Sequence, residues 1–290
     1  MSGGREPRDV VRFATALIAT ASLVLLKVLG AWAGHSLALG ADAAHSLGDV
    51  GALGLAWYAD RQRNRPPTDV LTFGWGRVEI LVGLLNALVL WALAGALGWA
   101  AVRQWSHPTA ANAEIMALAA GVALVVNGVL AWNFRESEDL NRRSTWWHLM
   151  TDAAGSLGVL VGASILAATG WRPINAVVTL AIVLLMIWGP WSIIRDTFRI
   201  LLEATPAKVP LADIAAKMQA VPGVARVHDL HVWAVGSQQW ALACHIELAA
   251  LPPSAQTVLC DLHDCLAGFG FDHTTIQLET SAEAHPEPGW

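Results

Sequence analysis

Long apolar blocks separated by short polar stretches fill the first two hundred residues of the chain. They run over about 11–34, 37–60, 78–102, 113–134, 145–168 and 174–194, each close to the roughly 20 residues that carry an α-helix across a bilayer. Six blocks predict six membrane helices, and an even number returns the chain to its starting side. The first block is long enough to span by itself and is expected to stay in the mature chain. From about Glu203 the pattern changes. Leu211–Val221 reads as an amphipathic helix, Ala225–Val235 and Gln239–Leu248 alternate as strands around a turn at Gly236-Ser237, Ser254–Phe269 reads as a second helix, and Thr274–Glu279 as a third strand.

The expected fold is therefore a membrane all-α six-helix bundle followed by a C-terminal cytoplasmic α+β ferredoxin-like domain. Its divisions are an N-terminal segment 1–10, the helical domain 11–200, the α+β domain 205–280 and a flexible tail 281–290 rich in Ser, Glu and Pro. Composition agrees: 55% of the 290 residues are hydrophobic and only 14% charged, against about 25% charged in a soluble domain. A net charge of −5 gives no footprint for nucleic acid. Cys244, Cys260 and Cys265 form no C-x-x-C pair and read as free thiols in a reducing compartment.

Loop charge sets an orientation. Arg5, Arg8 and Arg12, then Arg61, Arg63, Arg65 and Arg77, then Arg135, Arg142 and Arg143, then Arg195, Arg199 and Lys208 fall on one side, while the opposite loops carry only Arg103 and Arg172. The positive-inside rule then predicts that both termini and the α+β domain are cytoplasmic. Trp32, Trp57, Trp105, Trp132, Trp146, Trp147 and Trp171 fall near span ends, where indoles anchor at the interface.

Within this frame one motif occurs twice, His45-Ser-Leu-Gly-Asp49 in the second block and His148-Leu-Met-Thr-Asp152 in the fifth. Residues four apart on a helix differ by about 40° of rotation and roughly 6 Å of rise, so each pair projects from one face. His45 lies eight residues into the second block and Asp152 seven into the fifth, hence about 10–12 Å deep, toward the midplane. The second and fifth helices run in opposite directions, so His45 should lie beside Asp152 and Asp49 beside His148. Such a set of two imidazoles and two carboxylates suits a tetrahedral divalent metal, above all zinc, and ionisable groups at bilayer depth read as an ion or proton path. Gly48, Gly51 and Gly54 on one helix, with Gly155, Gly158 and Gly162 on the other, are expected to let the two backbones approach. Asp42 reads as a group supporting the ligands or admitting protons, with solvation at the helix end the alternative. Lys27 and Asn127 read as interhelical hydrogen-bonding groups, Arg77 and Glu79 as snorkelling or paired charges, and His228 as an exposed histidine at a strand start.

Four segments together carry a resemblance: Leu39-Gly-Ala-Asp-Ala-Ala-His45-Ser-Leu-Gly-Asp49, Phe73-Gly-Trp-Gly-Arg77-Val-Glu79, Asn141 through Gly158 with its Trp-Trp-His148, and His228-Asp-Leu-His231-Val-Trp233. The chain resembles the cation diffusion facilitators, proton-coupled zinc transporters, over nearly its whole length. The resemblance implies that His45, Asp49, His148 and Asp152 form the transport site of a homodimer in a bacterial inner membrane, exporting metal from the cytoplasm against protons. Histidine at the first position of both pairs is similar to zinc-preferring members, with cobalt, cadmium and nickel left open. It also implies a regulatory zinc site in the cytoplasmic domain at His231, His245 and Glu279, with His263 a further candidate. Some members carry another metal site in the loop after the second helix; Trp75 stands at its matching histidine, so only Asp69 of that site is present. Competing readings are a membrane metalloenzyme and a non-transporting metal sensor. The chain has no H-E-x-x-H motif and no separate nucleophile, and four protein ligands leave no open position for water, so no enzyme is expected.

Overall fold

The structure, a computed structural model, describes residues 7–63, 65–134, 140–237, 239–249 and 254–280. The chain ends, most of the loop after the fourth helix and His285 lie outside the described residues. Helices α1 (Pro7–Gly34), α2 (Leu37–Arg63), α3 (Gly76–Ser106), α4 (Ala113–Phe134), α5 (Leu140–Thr169), α6 (Ile174–Trp188) and α7 (Trp191–Leu201) come first. After them follow α8 (Leu211–Gln219), β1 (Val224–Ala234), β2 (Trp240–Leu248), α9 (Ala255–Ala267) and β3 (His273–Glu279).

The apolar blocks become helices with a reversed surface. Leu25, Leu85, Val89, Val125, Leu184 and Trp188 are exposed, as befits side chains meeting lipid, while alanines and mid-sized aliphatics such as Ala38, Ala94, Ala120 and Val159 fill the interior. Among the described residues four stretches are long and apolar enough to cross a membrane: Gly76–Ser106, Ala113–Trp132, Trp146–Thr169 and Ile174–Leu201; Thr20–Gly34 is a shorter apolar helix. α2 is 27 residues long but less apolar, because it carries Asp42, His45 and Asp49. The sixth block does not run unbroken to residue 194: α6 stops at Trp188 and α7 starts at Trp191, since Pro190 has no N–H to continue the ladder.

The chain divides into two compact units, one of residues 1–55 and 85–191, the other of 56–84 and 192–290. In the first, α4 packs along α5, α1 on α4, and α5 on α6. Asn175 ties one end of this unit together. Its Oδ1 accepts from Ser36 Oγ and the Ala38 N–H, both at 3.0 Å, and its amide donates to Gln104. That end therefore gathers the α1–α2 connection, the end of α3 and the start of α6. The glycines do less at the α2–α5 contact than their pattern suggests. A Cβ on Gly48 would strike Leu90 of α3 and one on Gly162 would strike Val178 of α6, while Gly51, Gly54 and Gly158 face open space. Gly155 alone of the six meets the facing helix, at Asp42.

In the second unit the α-β-β-α-β order is as the alternation predicts. The sheet order is β1-β2-β3, β1 antiparallel to β2 and β2 parallel to β3. Ile214, Met218, Val232, Leu242, Ile246, Val258 and Leu262 form its core between the sheet and helices α8 and α9. Ser254 caps α9 by accepting from the Thr257 N–H. Arg77 and Glu79 are paired charges: Arg77 meets Glu203 at 2.9 Å, and Glu79 accepts from Ser237 at 2.9 Å beside Arg63. Arg65 lies over the ring of Trp75 at 5.8 Å, a cation–π contact at the position where some cation diffusion facilitators carry a histidine ligand.

Candidate metal centre

Helices α2 and α5 meet in antiparallel register, since stepping back three residues on α2, from His45 to Asp42, matches stepping forward four on α5, from Asp152 to Ser156. His45 Nε2 lies 3.8 Å from Asp49 Oδ2 and 4.0 Å from Asp152 Oδ1. One ligand atom each from His45, Asp49 and Asp152 falls within 4.8 Å of the others. His148 reaches the group through its own helix, with Nε2 at 3.7 Å from Asp152 Oδ2. Donors around a tetrahedral zinc at about 2.0–2.1 Å stand about 3.3 Å apart, so the His–carboxylate spacings of 3.7–4.0 Å would close by about 0.4–0.7 Å around an ion.

The polar atoms of this group lack partners. His45 Nδ1, Asp49 Oδ2 and Asp152 Oδ1 are buried and make no hydrogen bond among the described residues. Buried polar atoms are nearly always satisfied, and an orphan costs about 1–3 kcal/mol. Two of these, the carboxylate oxygens of Asp49 and Asp152, come from two helices and face His45 Nε2, an arrangement open to a cation or protons. Beside them, Lys27 Nζ meets Asp42 Oδ2 and Ser46 Oγ, each at 2.9 Å, with all three side chains buried. Asp42 is thus an ion-pair partner within the bundle, not a solvated helix end. Lys27 bonds between helices as expected, whereas the buried Asn127 Oδ1 has no hydrogen bond among the described residues.

The second cluster forms on the sheet from β1, β2 and β3. His228 stands directly opposite His245 in the register, and Glu279 ends the neighbouring strand. His245 Nδ1 lies 2.9 Å from Glu279 Oε1, and His228 Nε2 lies 3.3 Å from Glu279 Oε2. Of the four residues expected here, His245 and Glu279 come together and the other two do not. A register shift between His228 and His231, with Asp229 at φ +49°, turns the strand. His228 is thereby not an exposed strand-start residue; its side chain is 7% exposed, whereas that of His231 is 61% exposed. His231 instead bonds Asp229 at 2.7 Å, which holds the Asp229 carboxyl below the usual carboxylate range. His263, on α9, pairs with Thr274 Oγ1 at 3.2 Å. The His-Asp-Leu-His spacing marks both histidines, but only the cross-strand register says which one faces His245. The Cys244 thiol is buried beneath the sheet, which pushes its pKa up to about 12.

Two family models cover this chain, the cation efflux transmembrane domain over residues 13–202 and the cation efflux protein cytoplasmic domain over 206–281. The chain is 31% identical over 280 residues to the zinc transporter ZitB of Escherichia coli, spanning 94% of this chain and 88% of that protein. It is 33% identical to the metal cation efflux system protein CzcD of Cupriavidus metallidurans, over 91% of this chain and 84% of the relative. It is 28% identical to a cadmium, cobalt and zinc/H(+)-K(+) antiporter of Bacillus subtilis, over 90% and 86%. Among solved structures, the metal-bound C-terminal domain of CzcD matches 24% of this chain and 99% of its own length, at 38% identity and a TM-score of 0.24. With its transmembrane and cytoplasmic models both matched, this multi-pass membrane protein belongs to the cation efflux family, the cation diffusion facilitators, whose members here are transporters and not enzymes.

Proposed function

We propose that this metal cation efflux protein is a zinc-preferring zinc/proton antiporter working by alternating access through His45, Asp49, His148 and Asp152. The observation that carries the reading is the convergence of His45, Asp49 and Asp152, with three buried orphan atoms, from two antiparallel helices. Zinc binds neutral imidazole and ionised carboxylate, so loading the site releases protons and protonation expels the ion. The loop charges support cytoplasmic termini for a six-helix domain over 11–200, in a bacterial inner membrane. The domain over 205–280 would join two copies into a homodimer and bind a regulatory zinc at His228, His245 and Glu279. That donor set of two imidazoles and one carboxylate suits zinc with a fourth position left over. Cobalt, cadmium and nickel are weaker candidates as cargo.

The test is zinc flux into proteoliposomes with an imposed pH gradient. Flux that rises with the gradient, and a pH change inside when zinc enters, supports antiport. Zinc movement that ignores the gradient removes the proton from the mechanism, and hydrolysis of any supplied substrate without flux would favour a metalloenzyme.

A further inference from the structure

Two features of the helical unit lie in line along α1 and α2, with a buried charge pair between them. One is the ligand group at His45, Asp49 and Asp152. The other is a cavity of about 670 Å³ at the end tied by Asn175, lined by Ala31, His35, Ser36, Arg103, Gln104 and His107. Asp42 lies three residues from His45 toward that end of α2, about 4.5 Å along the axis. Lys27 lies four residues before Ala31 on α1, so the ion pair separates the cavity from the ligands.

The pair is built as a barrier. The Asp42 carboxylate takes Lys27 Nζ at 2.9 Å on Oδ2 and accepts there from Ser156 Oγ of α5 at 3.2 Å. Lys27 donates also to Ser46, the neighbour of His45. Gly155 makes room for the carboxylate, because a Cβ there would sit 3.1 Å from Asp42 Oδ1. Four side chains from α1, α2 and α5 are thus joined, and each is at most 3% exposed. Exposure falls in the same direction: His148 is 42% exposed and Asp49 is 21%, but Asp42 and Lys27 are 1%. The ligands are reachable from the side away from the cavity and closed toward it. An ammonium in that wall repels a divalent cation that would otherwise slip past, and a pair this dry does not open without a conformational change that rehydrates or re-partners both charges.

We infer that Lys27 and Asp42, with Ser46 and Ser156, form the gate between the ligand group and the 670 Å³ cavity, holding it shut in this conformation, and that transport requires the pair to part. This rests on the transport reading above. Parting would release the α2–α5 tie beside Asp152 and withdraw the Lys27 charge from the ion's path, linking the gate to the ligand helices themselves.

The experiment uses the full chain in proteoliposomes and compares the parent with Lys27→Met/Asp42→Asn, which removes both charges together so that neither is left buried alone. Zinc affinity in detergent, gradient-driven flux and gradient-independent zinc leak are measured on each. The gate predicts zinc affinity within about twofold of the parent, with driven flux lowered and leak raised by about tenfold, a coupling of ordinary size between two sites. Parental flux with parental tightness overturns the inference, and so does loss of zinc affinity in step with flux, which would make the pair a support for the ligands. If the double variant does not fold, Ser156→Ala keeps the ion pair and cuts only the α2–α5 tie. A leak raised about threefold then upholds the gate, and parental leak overturns it. A parent with no zinc flux at all would instead mean that the transport reading has failed.

Discussion

The membrane ligand group and the sheet cluster hold similar donors at different spacing. At the sheet, His245 stands 2.9 Å from Glu279, Gln277 donates to that same carboxylate oxygen, and Asp229 faces His245 from the other side at 3.6 Å, while Glu279 Oε2 makes no hydrogen bond among the described residues. In the bundle, His45 stands 3.8 and 4.0 Å from its two carboxylates, and three atoms have no hydrogen bond among the described residues. A cation arriving at the sheet on Glu279 Oε1 must compete with the Gln277 hydrogen bond. One arriving in the bundle relieves a deficit, and protons relieve the same deficit in its absence. Carboxylates held by no hydrogen bond suit rapid exchange, and the Gln277-held oxygen of Glu279 suits a slower, regulatory or stapling role.

The largest test of this contrast is to remove a carboxylate from each place. Asp49→Asn or Asp152→Asn is expected to lower zinc flux by about 100-fold or more, because the site loses both a ligand and a proton acceptor. Glu279→Gln should leave driven flux within about threefold of the parent while weakening zinc binding to the cytoplasmic domain by about tenfold or more. Equal losses of flux from the two substitutions would erase the distinction. A smaller effect sharpens the choice of ligands at the sheet. His228→Ala is expected to weaken cytoplasmic zinc binding about as much as Glu279→Gln, and His231→Ala by no more than about threefold, calorimetry on the full chain being the readout. The smallest concerns the packing beneath that cluster. With its pKa pushed up to about 12, the buried Cys244 carries only about one thiolate in ten thousand near pH 8. Exposed Cys260 should react with maleimide in the folded protein, and Cys244 only after denaturation. Labelling of Cys244 in the native state would show that the sheet opens readily.

How much of each place could be read from the sequence follows from the kind of element that builds it. His45 and Asp49, like His148 and Asp152, lie four apart on one helix, so local spacing alone puts each pair on one face, and loop charge supplies the antiparallel sense that brings His45 to Asp152. The facing of Gly48 toward α3 and of Gly162 toward α6 depends on helix rotation, which spacing leaves free. At the sheet, the element order was legible from alternation and turns. The ligand set was not, because a single irregularity at Asp229 decides between His228 and His231, and that information lies in β1–β2 pairing. Lys27 was visible only as an apolar-span cation; its partner 15 positions on, Asp42, requires the α1–α2 packing to identify.

Zinc binding to full-length His228→Ala/Glu279→Gln protein isolates proton-linked metal binding at the bundle site, since the sheet cluster no longer contributes. One zinc per chain is expected, with affinity that falls on acidification between roughly pH 7.5 and pH 5.5, as protons compete with the ion for its ligands. No remaining zinc, or an affinity that stays flat across that range, would contradict it.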